Sequence, residues 1–266
     1  MRVPVAPPFS GAVGLTPLGA GRYAAELGER WTVGPKAHGG LLMVLLGRAG
    51  VAAAGPDTPD PLVVAADFLR APDPGPVELA TEVVKAGRTA SVVAVRMTQG
   101  GRAMLTASVT AGRLPDTEPE HADLPGQPAG PPPDALGRDS DARGVAGACD
   151  LRMDATATAF SRRETGPPEL HGWVRPRDED PDVWFALLAG DLLPPVVFNL
   201  GGHVAWAPTV QLTALLRGRP APGWLRIRAR ATVVGGGWFD SDALVVDAAG
   251  RVVCQARQLA LAPKTP

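Results

Sequence analysis

Few side chains among these 266 residues have the chemistry of a nucleophile, a base or a metal ligand. There are four histidines (His38, His121, His171, His203) and two cysteines (Cys149, Cys254). The histidines are scattered, with no carboxylate or cysteine at ligand spacing, so no metal site is expected. Cys254 lies in a strand-like run and Cys149 beside a flexible one, which suits two free thiols better than a bridge. A serine hydrolase of the α/β type needs a Gly-x-Ser-x-Gly elbow, and none occurs. No Walker loop follows a strand, and GAGRYAA has the wrong glycine spacing for a dinucleotide. No cofactor is expected. What remains is a subtler set of residues at the ends of elements: Asp191, Thr209, Gln258 and the run His38-Gly39-Gly40. Read alone, Asp191 ahead of Leu192, Leu193, Pro194 and Pro195 is a helix N-cap. Thr209 reads as a strand start, Gln258 as a solvent-facing strand residue, and His38 as a loop or lining residue.

The elements that must hold these residues come in two similar sets. Leu114 to Asp139 is rich in proline, glycine and acid, with consecutive prolines at Pro131–Pro133, and loses all apolar periodicity. Such composition marks a linker, so the expected division is an N-terminal domain at 1–113, a linker at 114–150 and a C-terminal domain at 151–266. The first domain has a strand at Arg22–Leu27, then AHGGLLMVLLGRAGVAAA, apolar on nearly every face and therefore a buried helix near Gly40–Ala54. Strands are expected at Leu62–Leu69, Val77–Ala86, Ser91–Gln99 and Ala103–Ala111. The second domain repeats the order: Trp184–Leu188 leads as a strand into a helix near Asp191–His203. Strands follow at Val210–Leu216, Leu225–Val234, Ala243–Asp247 and Val252–Leu261. Leu69-Arg70 matches Leu216-Arg217, Val83-Val84 matches Val233-Val234, and Gly101-Arg102 matches Gly250-Arg251. One helix followed by consecutive antiparallel strands describes an α+β hotdog, so the expected architecture is a tandem double hotdog. The halves should be related by a pseudo-two-fold axis with their sheets joined edge to edge.

Composition narrows the function. Lys plus Arg number 26 against 27 Asp plus Glu, a net charge of −1, which leaves no basic face for nucleic acid. Lysine is confined to Lys36, Lys85 and Lys264. The apolar stretch from Leu41 is broken by Gly47, Arg48 and Gly50, short of the roughly 20 residues a membrane helix needs. Prolines interrupt the N-terminal MRVPVAPPFSGAVG, unlike a signal peptide. A soluble, cytoplasmic protein without membrane insertion is expected.

From about Tyr23 to Ala262 outside the linker, the order of pieces resembles the type II acyl-CoA thioesterase family, the double-hotdog enzymes. The pieces are Gly39-Gly40 opening the first helix, FLR at Phe68–Arg70, GR from Gly87, AGDLLP around Asp191, APT ending at Thr209, and the last strand with Gln258. The resemblance implies an Asp, Thr and Gln triad that activates a water: Asp191, Thr209 and Gln258. A departure is the strand after the threonine, TVQLTALLR, which lacks the family's histidine; Gln255 or Thr213 are the substitutes if a partner is misaligned. A double hotdog mimics a hotdog dimer and often pairs again, so a homo-oligomer is one open outcome beside a monomer.

Thioester hydrolysis needs a base for water and a donor for the developing oxyanion. Asp191 suits the first task, with Gln258 and Thr209 holding the water. The amides beside Gly39 and Gly40 suit the second, because a helix start leaves N–H groups unpaired and glycine lets a carbonyl approach; His38 lines the same place. The expected function is therefore acyl-CoA thioester hydrolysis in lipid metabolism, on acyl-CoA or another acyl thioester. The alternative is a non-catalytic acyl-thioester binding protein. A hotdog hydratase is weaker still, for want of an Asp-x-x-x-x-His pair on either helix.

Overall fold

In the computed structural model, residues 8–124, 126–137, 144–201 and 204–263 are described. The first half runs from strand β1 (Arg22–Leu27) into helix α1 (Gly39–Ala54), then through β2 (Asp60–Phe68), β3 (Gly75–Lys85), β4 (Ser91–Gln99) and β5 (Arg102–Gly112). The second half contains β6 (Cys149–Met153), β7 (Glu169–Pro176), the short helix α2 (Val183–Ala189), β8 (Thr209–Leu216), β9 (Leu225–Arg230), β10 (Trp238–Val246) and β11 (Val252–Leu261). All these strands belong to one antiparallel sheet of 14 strands, extended at its edges by Thr16–Gly19 and Leu136–Gly137.

The order of that sheet carries the symmetry. At its centre β2 pairs with β8, Ala66 opposite Leu212 and Val64 opposite Ala214. Outward from this joint, one direction reads β5, β4, β3, β1 and the other β11, β10, β9, β7. The two halves therefore use the same connection order on either side of a pseudo-two-fold. Edge pairing at the joint removes two open strand edges. An ion pair also spans the halves: Arg219 donates to both Asp60 carboxylate oxygens at 2.7 and 2.8 Å.

Each element follows from its residues. Helix α1 is buried from Gly40 to Gly47, with Leu41 through Leu46 all enclosed, and its last turn meets solvent; an apolar helix of this kind forms only inside a wrapping sheet. The β4–β5 hairpin turns at Gly100-Gly101, whose φ values of 56° and 74° suit glycine in a two-residue turn. The expected strands are present except Trp184–Leu188, and Arg22–Leu27, Ser91–Gln99 and Val252–Leu261 have the bounds read from the sequence.

One expectation fails. Trp184–Leu188 is not a strand, and no helix starts at Asp191. The second helix is Val183–Ala189, with Asp182 as N-cap accepting from Phe185 N at 2.8 Å. A helix capped by Asp191 would need the N–H of residue 195 for its first intrahelical bond, and Pro195 has none. The Pro195 ring also drives Pro194 out of the helical region. The chain instead turns at Gly190-Asp191 and makes one 3-10 stretch at Val196–Leu200. The end of the expected helix, Gly202 and His203, lies outside the described residues.

From residue 115 to 135 the chain carries no strand or helix among its described residues and crosses the outer face of the second half. It is pinned there by Trp173, whose indole N–H donates to the Pro128 carbonyl at 2.9 Å, and by Arg226, which donates to the Gln127 carbonyl at 2.7 Å. Cys149 and Asp150 open β6. No described helix is long and apolar enough to cross a membrane. Two antiparallel half-sheets, each backed by a buried helix and fused at one joint, make the chain an α+β tandem double hotdog.

Candidate functional site

The site forms where the start of α1 meets the end of α2. His38 is fixed on both sides of its own backbone: its N–H donates to Trp31 O at 2.8 Å, and its carbonyl accepts from Leu42 N at 3.2 Å. The next amides belong to the first turn of α1 and have no carbonyl one turn back to bond. Into this space α2 delivers Asp191. Its N–H donates to Leu188 O at 3.1 Å, and its carbonyl accepts from His38 Nε2 at 3.1 Å.

The paired glycines exist because there is no room for anything else. A Cβ on Gly39 would stand 2.6 Å from Asp191 Oδ2 and 3.4 Å from the Phe68 ring. A Cβ on Gly40 would stand 2.9 Å from both His38 Cε1 and the Leu188 carbonyl oxygen. The requirement is close approach between the halves, not an unusual backbone angle.

Electrostatics set Asp191 apart. Burial pushes its carboxyl from the usual 3.8 up to about 7, opposed by the Gly40 N–H, which bonds the charged form. The residue as a whole is only partly buried. Burial likewise drives His38 down to about 4, against the bond to Asp191. His38 is therefore neutral, and because a carbonyl can only accept, Nε2 carries the proton. Its Nδ1 is buried with no partner among the described residues.

Thr209 and Gln258 form a second group. The Thr209 hydroxyl donates to Gln258 Oε1 at 2.8 Å. Simple alternation along β8 would put Thr209 outward with Gln211 and Thr213. A β-bulge between Thr209 and Gln211 sets Thr209 opposite Ala260, a buried residue, and so turns it inward. Gln258 shares the inward face with Cys254, Ala256 and Ala260 and is flanked across the sheet by Leu212 and Ser241. It is half-buried rather than solvent-facing.

The two groups adjoin through Gly190. A Cβ there would meet Ala256 at 3.0 Å and Cys254 Sγ at 3.4 Å, so the residue before Asp191 rests on the strand that carries Gln258. Among the described residues no direct hydrogen bond joins Asp191 to Thr209 or Gln258. Asp191, His38, Gly39 and Gly40 are thus in mutual contact, while Thr209 and Gln258 pair with each other, Gln258 lying two residues beyond the Ala256 that Gly190 rests on. Gln255 is exposed and Thr213 accepts from Gln211 on the outer face; neither substitutes for a triad member. Phe68, which the sequence offered only as part of a resemblance, proves to be a wall of the site; its signal was the FLR at the end of β2. A groove of about 570 Å³ on the opposite face, lined in part by Gln211, Thr213, Arg228 and Arg257, includes none of His38, Gly39, Gly40, Asp191, Thr209 and Gln258. No described group of three His, Cys, Asp or Glu side chains is placed to hold a metal ion.

The comparisons agree on kinship. Residues 27–112 match the acyl-CoA thioesterase N-terminal domain, and residues 115–262 match the acyl-CoA thioesterase C-terminal domain. An uncharacterized protein of Mycobacterium tuberculosis is 40% identical over 272 residues, covering 91% of each chain. A candidate thioesterase II from Thermobifida fusca YX superposes with a TM-score of 0.85 at 35% identity, over 98% of this chain and 99% of its own. An acyl-CoA thioesterase II of Mycobacterium marinum shares the fold at a TM-score of 0.74 and 18% identity, over 97% of each chain. With both halves matched in order and nearly the whole length covered, the chain belongs to the acyl-CoA thioesterase family.

Proposed function

We propose that this protein hydrolyses acyl-CoA thioesters to a free acid and CoA, with Asp191 activating the water. The observation that carries the reading is the Asp191 carboxyl, pushed to about 7 where it follows α2 and lies against the start of α1. A general base works best when its pKa lies near the working pH. The carboxylate takes a proton as water adds to the thioester carbonyl; the C–S bond then breaks, and the departing CoA thiolate recovers that proton. Negative charge on the carbonyl oxygen builds beside the first-turn amides of Gly39 and Leu41, at the positive end of α1. The Gly40 amide already faces Asp191, which keeps the base and the oxyanion donors within one turn. The Gln258 amide, with its oxygen tied to Thr209, keeps its N–H groups for the water.

Thiol release from a panel of acyl-CoAs by the wild-type protein tests this. Turnover of at least one straight-chain member well above the uncatalysed rate is expected. Binding of a non-hydrolysable thioether with no turnover across the panel assigns the chain to acyl-thioester binding instead.

A further inference from the structure

The His38 ring occupies a position that a hydrophobic side chain would fill at lower cost. It is only 3% exposed, and one ring nitrogen has no partner among the described residues. A buried, unsatisfied acceptor is unfavourable and calls for a reason. His38 also gives α1 no side-chain cap. What an imidazole does here, and leucine cannot, is donate Nε2–H to the Asp191 carbonyl at 3.1 Å.

We propose that His38 is a positioning residue: its Nε2–H latches the backbone of Asp191 across the joint between the two halves and so fixes the carboxylate over Gly39. The latch is rigid at both ends. The His38 backbone is bonded to Trp31 and Leu42, and the ring is wedged against Gly40. On the other side Asp191 is held through its N–H by Leu188 and through its carbonyl by His38. With both peptide groups restrained, little freedom remains for the side chain, whose Oδ2 lies 2.6 Å from where a Gly39 Cβ would be. His38 therefore acts through Asp191 and takes no proton from water itself: Nε2 is spent on the carbonyl, and Nδ1 is enclosed. The inference rests on the reading of Asp191 as the water-activating group.

The test is a double-mutant cycle with a rescue, read on an acyl-CoA that the wild type turns over. His38→Leu should lower kcat by about 10²-fold, the loss that follows when a reacting group drifts by an ångström, with KM nearly unchanged. His38→Gln, whose amide N–H can reach the same carbonyl, should recover most of that loss. In an Asp191→Asn background, His38→Leu should cost nothing further, because a latch has no effect once the base is gone. Undiminished kcat in His38→Leu, no rescue by glutamine, or a full additional loss in the Asn background would each overturn the proposal. An Asp191→Asn variant with full turnover removes the underlying reading instead. Nitrogen-15 NMR of the wild-type imidazole needs no variant to fold. It should show protonated Nε2 and bare Nδ1 at neutral pH; the opposite tautomer or a charged ring would overturn the latch.

Discussion

Gly39→Ala isolates carboxylate position from everything else at the site. The added Cβ would stand 2.6 Å from Asp191 Oδ2, whereas ordinary contact begins near 3.4 Å, so the oxygen must retreat by about 0.8 Å. Phe68 at 3.4 Å bounds the new methyl on another side and leaves it little room to yield. A displacement of that size in a positioned catalytic group costs on the order of 10²-fold in rate. Stability responds differently. Alanine is a better helix residue than glycine by up to about 1 kcal/mol, which offsets the crowding, so Tm should move by no more than about 2–4 °C. The assay is steady-state thiol release beside a melting curve on the same preparation. Expected are a kcat lowered by about 10²-fold, a KM changed little and a Tm held within that range. Full kcat at unchanged Tm would refute the placement of Asp191 against Gly39. Collapse of the fold would refute the claim that the carboxylate is what yields.

Three further outcomes follow. Gly40→Ala should destabilise more than Gly39→Ala, because one of its clashes, at 2.9 Å, is with the Leu188 backbone carbonyl; the two melting curves decide it. Thr209→Val and Gln258→Ala should each lower kcat by roughly 3–10-fold, the worth of one hydrogen bond, and together by less than the product, since they bond each other at 2.8 Å; additivity would separate them. The Asp191 carboxyl is raised from 3.8 to about 7 on folding, so the folded protein keeps a proton that the unfolded chain has lost between those values. Its contribution to stability therefore falls as pH rises from about 4 to about 7 and is level above. The Tm difference between Asp191→Asn and wild type should grow in favour of Asn over that interval, while wild-type kcat/KM rises through about 7; a flat profile in both would contradict the assignment.

Much of the architecture was legible because it rests on patterns that survive in a single chain. The apolar run Leu41–Leu46, the strand alternation and the matched turn residues at Gly101-Arg102 and Gly250-Arg251 all reappear as elements in equivalent places. The second helix was not legible at its true position. VWFALLA is short and apolar, so periodicity does not distinguish a strand from a buried helix, and the Asp182 cap preceding it went unread. The site residues were identifiable by type, but their geometry was not. Asp191 follows a helix rather than capping one, and Thr209 faces inward only through a bulge, which leaves no mark on apolar patterning. Nothing local in the sequence foretells His38 reaching Asp191, 153 positions away along the chain.

The central claim is that Asp191 activates the water, and the turnover of Asp191→Asn tests it most directly. Asparagine keeps the size and removes the base. Losing general-base help lowers kcat by on the order of 10²–10⁴-fold. The variant carries no buried carboxyl and caps no helix, so its fold and its affinity for a non-hydrolysable thioether analogue should be retained. A kcat reduced by that factor with thioether affinity intact is the predicted result. An Asp191→Asn protein that releases CoA thiol at the wild-type rate would contradict it.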